Sequence, residues 1–282
     1  MPSTLRLSDV TDIDVTDYSA SIALPRTRTR AGDCMKHIER GLHATLLTLL
    51  TTPGLVPPGA IIDAGANDGQ ESLWLANLQP SRQIVAVEPL TANVANIHKQ
   101  KQKLKANNLE VLQGILSNRS GTDTIIEHNH GKWPYNQLND ELRQRSTKDQ
   151  STKDLSKSSE LHALTFNVST VDELFASRTL GLAHWDVEGA EIEVVQGAMA
   201  VLQRDQPFIT VETFPKSKPQ LYVQLMRLVG SLGYRSYQIK EICGYPWDCH
   251  NVLCVPEAKD AAFHNEVGKN LSHWINLTAI VV

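Results

Sequence analysis

From residue 55 onward the chain alternates short apolar runs with longer amphipathic stretches. AIIDAG (60–65), IVAVE (84–88), LEVLQGILS (109–117), LTFNV (164–168), GLAHWDV (181–187), FITVE (208–212), GYRSYQI (233–239) and NVLCV (251–255) read as strands. Several are apolar enough to be covered on both faces. Between them, QESLWLANL (70–78), TANVANIHKQKQKLKANN (91–108), EIEVVQGAMAVLQR (191–204) and a stretch near 217–232 read as helices. An earlier helix is predicted from Asp33 to Thr52, where Met35, Ile38, Leu42, Leu46, Leu49 and Leu50 recur at helical spacing; Asp33 can cap it, and Pro53-Gly54 stops it. Strands alternating with helices of this length predict one α/β domain on a mostly parallel sheet with helices on both faces.

Two segments break the rhythm. Residues 1–30 are polar, end in PRTRTR and read as an arm ahead of a single domain over 31–282. Residues 137–160 carry the near-repeat STKDQSTKD and almost no apolar side chains. Such a stretch buries too little surface to offset its ordering entropy, so a mobile polar insertion is expected, with a lid over a substrate site as the other reading.

Composition narrows the class. The chain has 282 residues, and its 27 Lys+Arg against 31 Asp+Glu give a net charge of −4. A domain that tracks a phosphate backbone usually carries a basic excess, so a nucleic-acid partner is not expected. KQKQKLK (99–105) reads as a solvated helix face. No run approaches the roughly 18 apolar residues of a membrane span, and the first residues carry no export signal, so neither a membrane partner nor any compartment but the cytoplasm is expected. The four cysteines, Cys34, Cys243, Cys249 and Cys254, match no disulfide framework or zinc spacing.

Three motifs carry chemistry. In IIDAGANDGQESLWLA (61–76) a buried strand ends in Asp63, a turn of small residues follows, and a helix begins at once. A dinucleotide fold wants G-x-G-x-x-G there, with pyrophosphate on the helix start. Here Asp63 precedes the turn and Asp68 lies within it; two carboxylates repel a pyrophosphate but suit the ammonium of an amino-acid ligand, which points to S-adenosylmethionine. The second motif is Glu88, closing IVAVE, where an acidic residue can accept hydrogen bonds from ribose hydroxyls or simply cap the next segment. The third is AHWDVEGAEIEVVQGA (183–198): Asp186 and Glu188, with Glu212 closing FITVE and His250 and Asn251 opening the last strand, fall at the carboxyl edge where open α/β sheets bind ligands.

Taken in order, DAGANDG, VEPLTANV, GILSNRSG, WDVEGAE, QGA and ITVE resemble the FkbM family of S-adenosylmethionine-dependent methyltransferases over roughly residues 55–255. The resemblance implies a class I, Rossmann-like, seven-stranded sheet whose last strand is antiparallel, and methylation of a hydroxyl on a natural product or sugar. It also implies that Asp63, Gly65, Ala66, Asn67 and Gly69 line the methionine and ribose, that Glu88 holds the ribose hydroxyls, that Ser117 lies near the adenine, and that Asp186 faces the sulfonium. Family members commonly have Lys-Ile before DVEGAE, where this chain has His184-Trp185.

A hydroxyl acceptor must lose a proton, and His250, His184, Asp186 and Glu212 are the candidate bases. Asp186, Glu188, Glu212 and Asn251 offer hard oxygen ligands for Mg²⁺ or Ca²⁺, though a metal is the less favoured reading; Glu191 is read as complementing a helix N-terminus. Two rivals stand beside the methyltransferase: an NAD-dependent oxidoreductase, and a non-catalytic binding protein that acts through partners.

Overall fold

The structure, a computed structural model, describes residues 40–128, 161–240 and 250–282. The expected N-terminal arm, the start of the first helix, the 137–160 insertion and Cys34, Cys243 and Cys249 lie outside those residues.

The apolar runs form strands β1 (Ala60–Ala64), β2 (Ile84–Glu88), β3 (Leu109–Gln113), β4 (Ile115–Leu116), β5 (Gly121–His128), β6 (Leu161–Ser169), β7 (Leu180–Trp185), β8 (Phe208–Thr213), β9 (Tyr234–Gln238) and β10 (His250–Pro256). Seven of them make one sheet in the order β3-β2-β1-β7-β8-β10-β9. β1, β2, β3, β7 and β8 run parallel, and β10 is antiparallel to both β8 and β9, as expected of the last strand. Every residue of β1, β2, β7 and β8 is buried, which explains why those runs are apolar or isolated polar residues with partners.

The helices are α1 (Arg40–Thr51), α2 (Gln70–Leu78), α3 (Thr91–Leu104), α4 (Val171–Leu174), α5 (Glu191–Gln196), α6 (Met199–Asp205), α7 (Pro219–Ser231) and α8 (Glu257–Phe263), continued by a π-helical turn (His264–Gly268) and α9 (Lys269–Leu271). One sheet face buries Ile62, Ala64, Val85, Trp185 and Val211 against apolar residues of α5, α6 and α7. The other buries Ile61, Ala86, Leu182 and Phe208 against α1, α2, α3 and the C-terminal helices. From β1 the chain winds outward to β2 and β3, then returns to β7 on the other side. The strand order therefore reverses between β1 and β7, and the crevice at their carboxyl ends is where such sheets take ligands.

Three sequence expectations are corrected. LEVLQGILS is not one strand: Gly114 donates its N–H to the Glu88 carbonyl at 3.1 Å, and the chain then leaves the main sheet as β4. LTFNV belongs to a second, three-stranded sheet, β4-β6-β5, in which β5 and β6 pair antiparallel from Gly121↔Val168 to His128↔Leu161. The stretch 191–204 is two helices, Glu191–Gln196 and Met199–Asp205, and Gly197 between them is pressed against the Ser117 backbone: a Cβ there would stand 2.0 Å from the Ser117 carbonyl oxygen. No helix among the described residues is long and apolar enough to cross a membrane.

Candidate active site

The turn after β1 is fixed by its neighbours. Gly65 has φ +84°, and a Cβ on it would stand 1.7 Å from the Asp186 carbonyl oxygen, so only glycine lets the ends of β1 and β7 meet this closely. Asp186 N–H donates to the Ala64 carbonyl at 2.9 Å, and Gly65 and Ala66 both donate to the Val87 carbonyl. Asn67, also at positive φ, and Gly69 carry the chain into α2. The small-residue turn thus sits wedged between the carboxyl ends of β2 and β7.

Asp63 and Glu88 occupy different settings. Asp63 is 1 % exposed and accepts a hydrogen bond from Ser72 Oγ, which fastens β1 to α2; burial pushes its pKa up to about 6 against the pull of that bond. Glu88, at the carboxyl end of β2, is buried as completely but is held by different partners. Its Oε2 accepts from the Asn67 N–H at 2.9 Å, and its Oε1 accepts from the Leu90 N–H at 3.0 Å and Asn93 Nδ2 at 3.1 Å. Burial raises its pKa and these three donors lower it. Asn93 Nδ2 also donates to Asn67 Oδ1 at 3.2 Å, so two asparagines close over the carboxylate. Glu88 therefore does cap the segment that follows, and the same group ties the glycine turn to β2. Asn93 went unread in the sequence, although it stands in VEPLTANV.

Ser117 follows β4, donates its N–H to the Ser169 carbonyl at 3.0 Å, and packs its backbone on Gly197. Its neighbour Asn118 donates to Gln196 Oε1 at 2.8 Å. The SNRSG and QGA motifs, far apart in sequence, are thus two halves of one contact.

Beyond β7 the carboxylates gather. Asp186, Glu188 and Glu212 bring one oxygen each within 4.8 Å of one another. Burial raises Glu212 well above the ordinary glutamate range, helped by the neighbouring Asp186 and Glu188 carboxylates and by a hydrogen bond shared with Asp186. Burial, aided by Glu188 and Glu191, pushes Asp186 up to about 7. Asp186 Oδ1 is sealed from solvent and has no hydrogen-bond partner among the described residues. Glu188 sits at φ 54°, and burial raises its pKa while Lys218 lowers it. Glu191 reaches back to accept from the Gly189 N–H at 2.7 Å, and burial pushes it up to about 7. Asn251 pairs with Glu212, and His250 with Thr213, across the β8–β10 ladder. Beside this group lies a small cleft of about 20 Å³, lined in part by Glu191, Glu212, Phe214, Lys218 and Tyr222, with Lys218 Nζ 4.7 Å from the Phe214 ring centre. Lys218 and this cleft were not read from the sequence.

His184 is placed elsewhere than expected. It lies inside the sheet in register with Asp63 on one side and Thr210 on the other, its Nδ1 2.9 Å from Thr210 Oγ1. Burial pushes its pKa down to about 4, so it is neutral at pH 7 and too weak a base to take a proton from an alcohol at neutral pH. The expectation of His184 as a general base gives way to a structural role.

A mostly parallel seven-stranded sheet with an antiparallel final strand, a small-residue turn after β1 and an acid closing β2 defines a class I, Rossmann-like methyltransferase fold. The chain belongs to the FkbM methyltransferase domain family, whose model matches residues 63–236. No curated protein matches it in sequence. Among solved structures it is similar to a methyltransferase FkbM from Methylobacillus flagellatus, at 12 % identity and TM-score 0.48, over 74 % of this chain and 47 % of that one. The chain thus spans about half the length of that relative. It is also similar to an O-methyltransferase from Bacillus cereus in complex with SAH (13 % identity, TM-score 0.44, 90 % and 92 % covered). A third is an rRNA methylase from Streptococcus thermophilus (11 % identity, TM-score 0.44, 78 % and 98 % covered).

Proposed function

We propose that this protein methylates a hydroxyl group on a small molecule, a natural product or sugar, using S-adenosylmethionine. The observation that carries the reading is the acidic lining of the crevice: Glu88 on one side of the glycine turn and Asp186 on the other, with Glu188 and Glu212 behind, groups that a bound cation would hold ionised. A cationic sulfonium with an ammonium group suits that lining; the pyrophosphate of a nicotinamide dinucleotide does not. The same acidic edge argues against a polyanionic acceptor such as nucleic acid.

When bound, S-adenosylmethionine supplies a methyl group on a positively charged sulfur: the S–CH₃ bond breaks with its electron pair left on sulfur, and a C–O bond forms to the acceptor. The chain's residues do the rest. Glu88 accepts from the ribose hydroxyls through lone pairs left over from Asn67 and Leu90, with Asn93 swinging aside. Gly65, Ala66 and Asn67 present backbone beside the methionine, and Gly69 sets the start of α2. Asp63 acts from beneath, holding the turn through Ser72. Ser117 borders the adenine side. Asp186 takes the proton from the acceptor hydroxyl: a pKa near 7 fits a base at neutral pH, and the Glu212 hydrogen bond keeps its carboxylate oriented. His250, opening β10 opposite Thr213, is the second group at this edge able to relay the proton to solvent.

Calorimetric titration with S-adenosylhomocysteine and, separately, NAD tests the cofactor. Binding of the first and none of the second is expected; the reverse overturns the reading. Transfer of labelled methyl to a panel of hydroxylated compounds then tests the acceptor. Asp186→Asn should lower turnover at least about 100-fold, as loss of a general base does, and leave S-adenosylhomocysteine affinity within about threefold. Equal losses in both would place Asp186 in cofactor binding alone.

A further inference from the structure

S-adenosylmethionine ends in an amino acid, whose ammonium and carboxylate both need partners beside the glycine turn. The two acids expected in the sequence to meet the ammonium are engaged elsewhere. Asp63 is buried and bound to Ser72, and Asp68 is exposed, its Oδ1 accepting from the Gln70 N–H at 3.2 Å. The carboxylate is harder to place, because Asp186, Glu188 and Glu212 repel it. Lys218 is too distant from the turn: it follows β8, two strands across from β1 and so about 10 Å away in the sheet.

Two helices bring an unassigned pair to the turn. α2 starts directly after Gly69, so its first residues lie at the carboxyl edge of the sheet. α1 runs beside it in the same direction. His43 Nε2 stands 3.6 Å from Glu71 Oε1 near the two N-terminal ends, and Gln79 Nε2 donates to the Leu50 carbonyl at 3.0 Å near the two C-terminal ends. Both helices cover the sheet face that carries Ile61 and Leu182; with the strand period of two, Asp63 and His184 point to that same side. Glu71 lies over this row, and its field reaches Asp63, His184 and Asp186. Trp74, one turn along α2, meets the His43 ring edge-on with centres 4.8 Å apart. The His43 and Glu71 side chains remain 21 % and 28 % exposed, so a ligand at the edge can touch both. An acid and an imidazole side by side match an ammonium and a carboxylate carried on one carbon.

We propose that Glu71 and His43 grip the amino-acid end of the cofactor, the Glu71 carboxylate accepting from the ammonium and a His43 N–H donating to the carboxylate. Resting on the S-adenosylmethionine reading, the pair adds a selection to it: nucleosides that share the adenosine and the sulfur but lack the amino acid are held weakly.

The test is calorimetric titration of the full chain with three ligands. S-adenosylhomocysteine has the whole amino acid, its thiopropylamine analogue keeps the ammonium without the carboxylate, and methylthioadenosine has neither. Hydrogen bonds to charged groups are worth about tenfold or more in affinity. Glu71→Gln should therefore weaken the first two ligands at least about tenfold. His43→Phe, which keeps a ring against Trp74, should weaken S-adenosylhomocysteine alone by the same factor. Neither should move methylthioadenosine, and His98→Gln, exposed on α3, should move none of the three. Circular dichroism and melting check the fold; if Glu71→Gln does not fold, His43→Phe on the other helix carries the test. S-adenosylhomocysteine binding that is unchanged in either folded variant overturns the grip and leaves the cofactor. Equal weakening of all three ligands does the same, since it makes the pair a support of the fold. An unaltered chain that binds S-adenosylhomocysteine no more tightly than methylthioadenosine also overturns it. A chain that binds none of the three overturns the cofactor reading and the grip together.

Discussion

Glu88 shows how one side chain can serve fold and ligand together. Its two oxygens take the backbone N–H groups of Asn67 and Leu90, so removing it strips acceptors from two loops as well as from a ribose. Glu88→Ala is expected to weaken S-adenosylhomocysteine binding by about 1–3 kcal/mol and to lower the denaturation midpoint as well; calorimetry and a urea melt read the two separately. Asn93→Ala should lower the midpoint less and leave affinity unchanged or improved, because its amide covers the carboxylate that the ribose needs; a loss of affinity would instead make Asn93 part of the site. Glu88, Gly65 and Asp186 were legible in the sequence because their spacing from strand ends is set by the fold. His184 was not: the chain gives no sign that its ring turns into the sheet toward Thr210 rather than toward the crevice. The raised pKa of Asp186 was equally hidden, since it arises from carboxylates that are brought together only on folding.

At the scale of elements, the contact between the β4 end and the α5–α6 junction holds the second sheet to the main domain. Gly197→Ala pushes a methyl into the Ser117 carbonyl and is expected to cost about 1–3 kcal/mol of stability, as overpacking does, measured by thermal or urea unfolding. An unchanged midpoint would mean that the two backbones part easily there. Asp172 meets the same junction from α4: its two carboxylate oxygens accept from the Ala200 and Val201 N–H groups at 3.1 and 2.8 Å and cap α6. Asp172→Ala should cost about 1 kcal/mol in the same melts, the usual worth of a lost cap. The helical period of 191–204 was legible, but its break was not; the backbone that Gly197 meets there, at Ser117, lies eighty positions earlier. β5 escaped sequence reading for a related reason: GTDTIIEH is mixed in polarity and becomes a strand through its long antiparallel ladder with β6.

For the whole molecule, the parallel sheet and its order of strands and helices were legible because buried strands must be apolar on both faces. The identity of the sheet each run joins was not, since pairing is decided by contacts remote in sequence. The buried acids also set a pH dependence. Asp63, Asp186 and Glu191 are raised to about 6, 7 and 7, so between about pH 4 and pH 7 the folded chain holds more protons on them than the unfolded chain does. Stability from these groups is present at the acid end and is lost as pH rises through the folded values. His184, lowered to about 4, works the other way up to its ordinary value near 6.5 and offsets part of the fall. In EDTA the melting temperature should therefore decline from pH 5 to pH 7.5, and a rise over that interval would show the acids to be ionised in the folded chain. β10 carries a different consequence. It is made after β9, yet it lies between β9 and β8, so the sheet cannot zip together in the order in which a ribosome delivers its strands. While β10 is still in the exit tunnel, β8 presents an unpaired edge and β9 has no neighbour in the sheet. The nascent chain is then a waiting intermediate, and the interval before residues 250–256 emerge is when a chaperone or a wrong partner would find it.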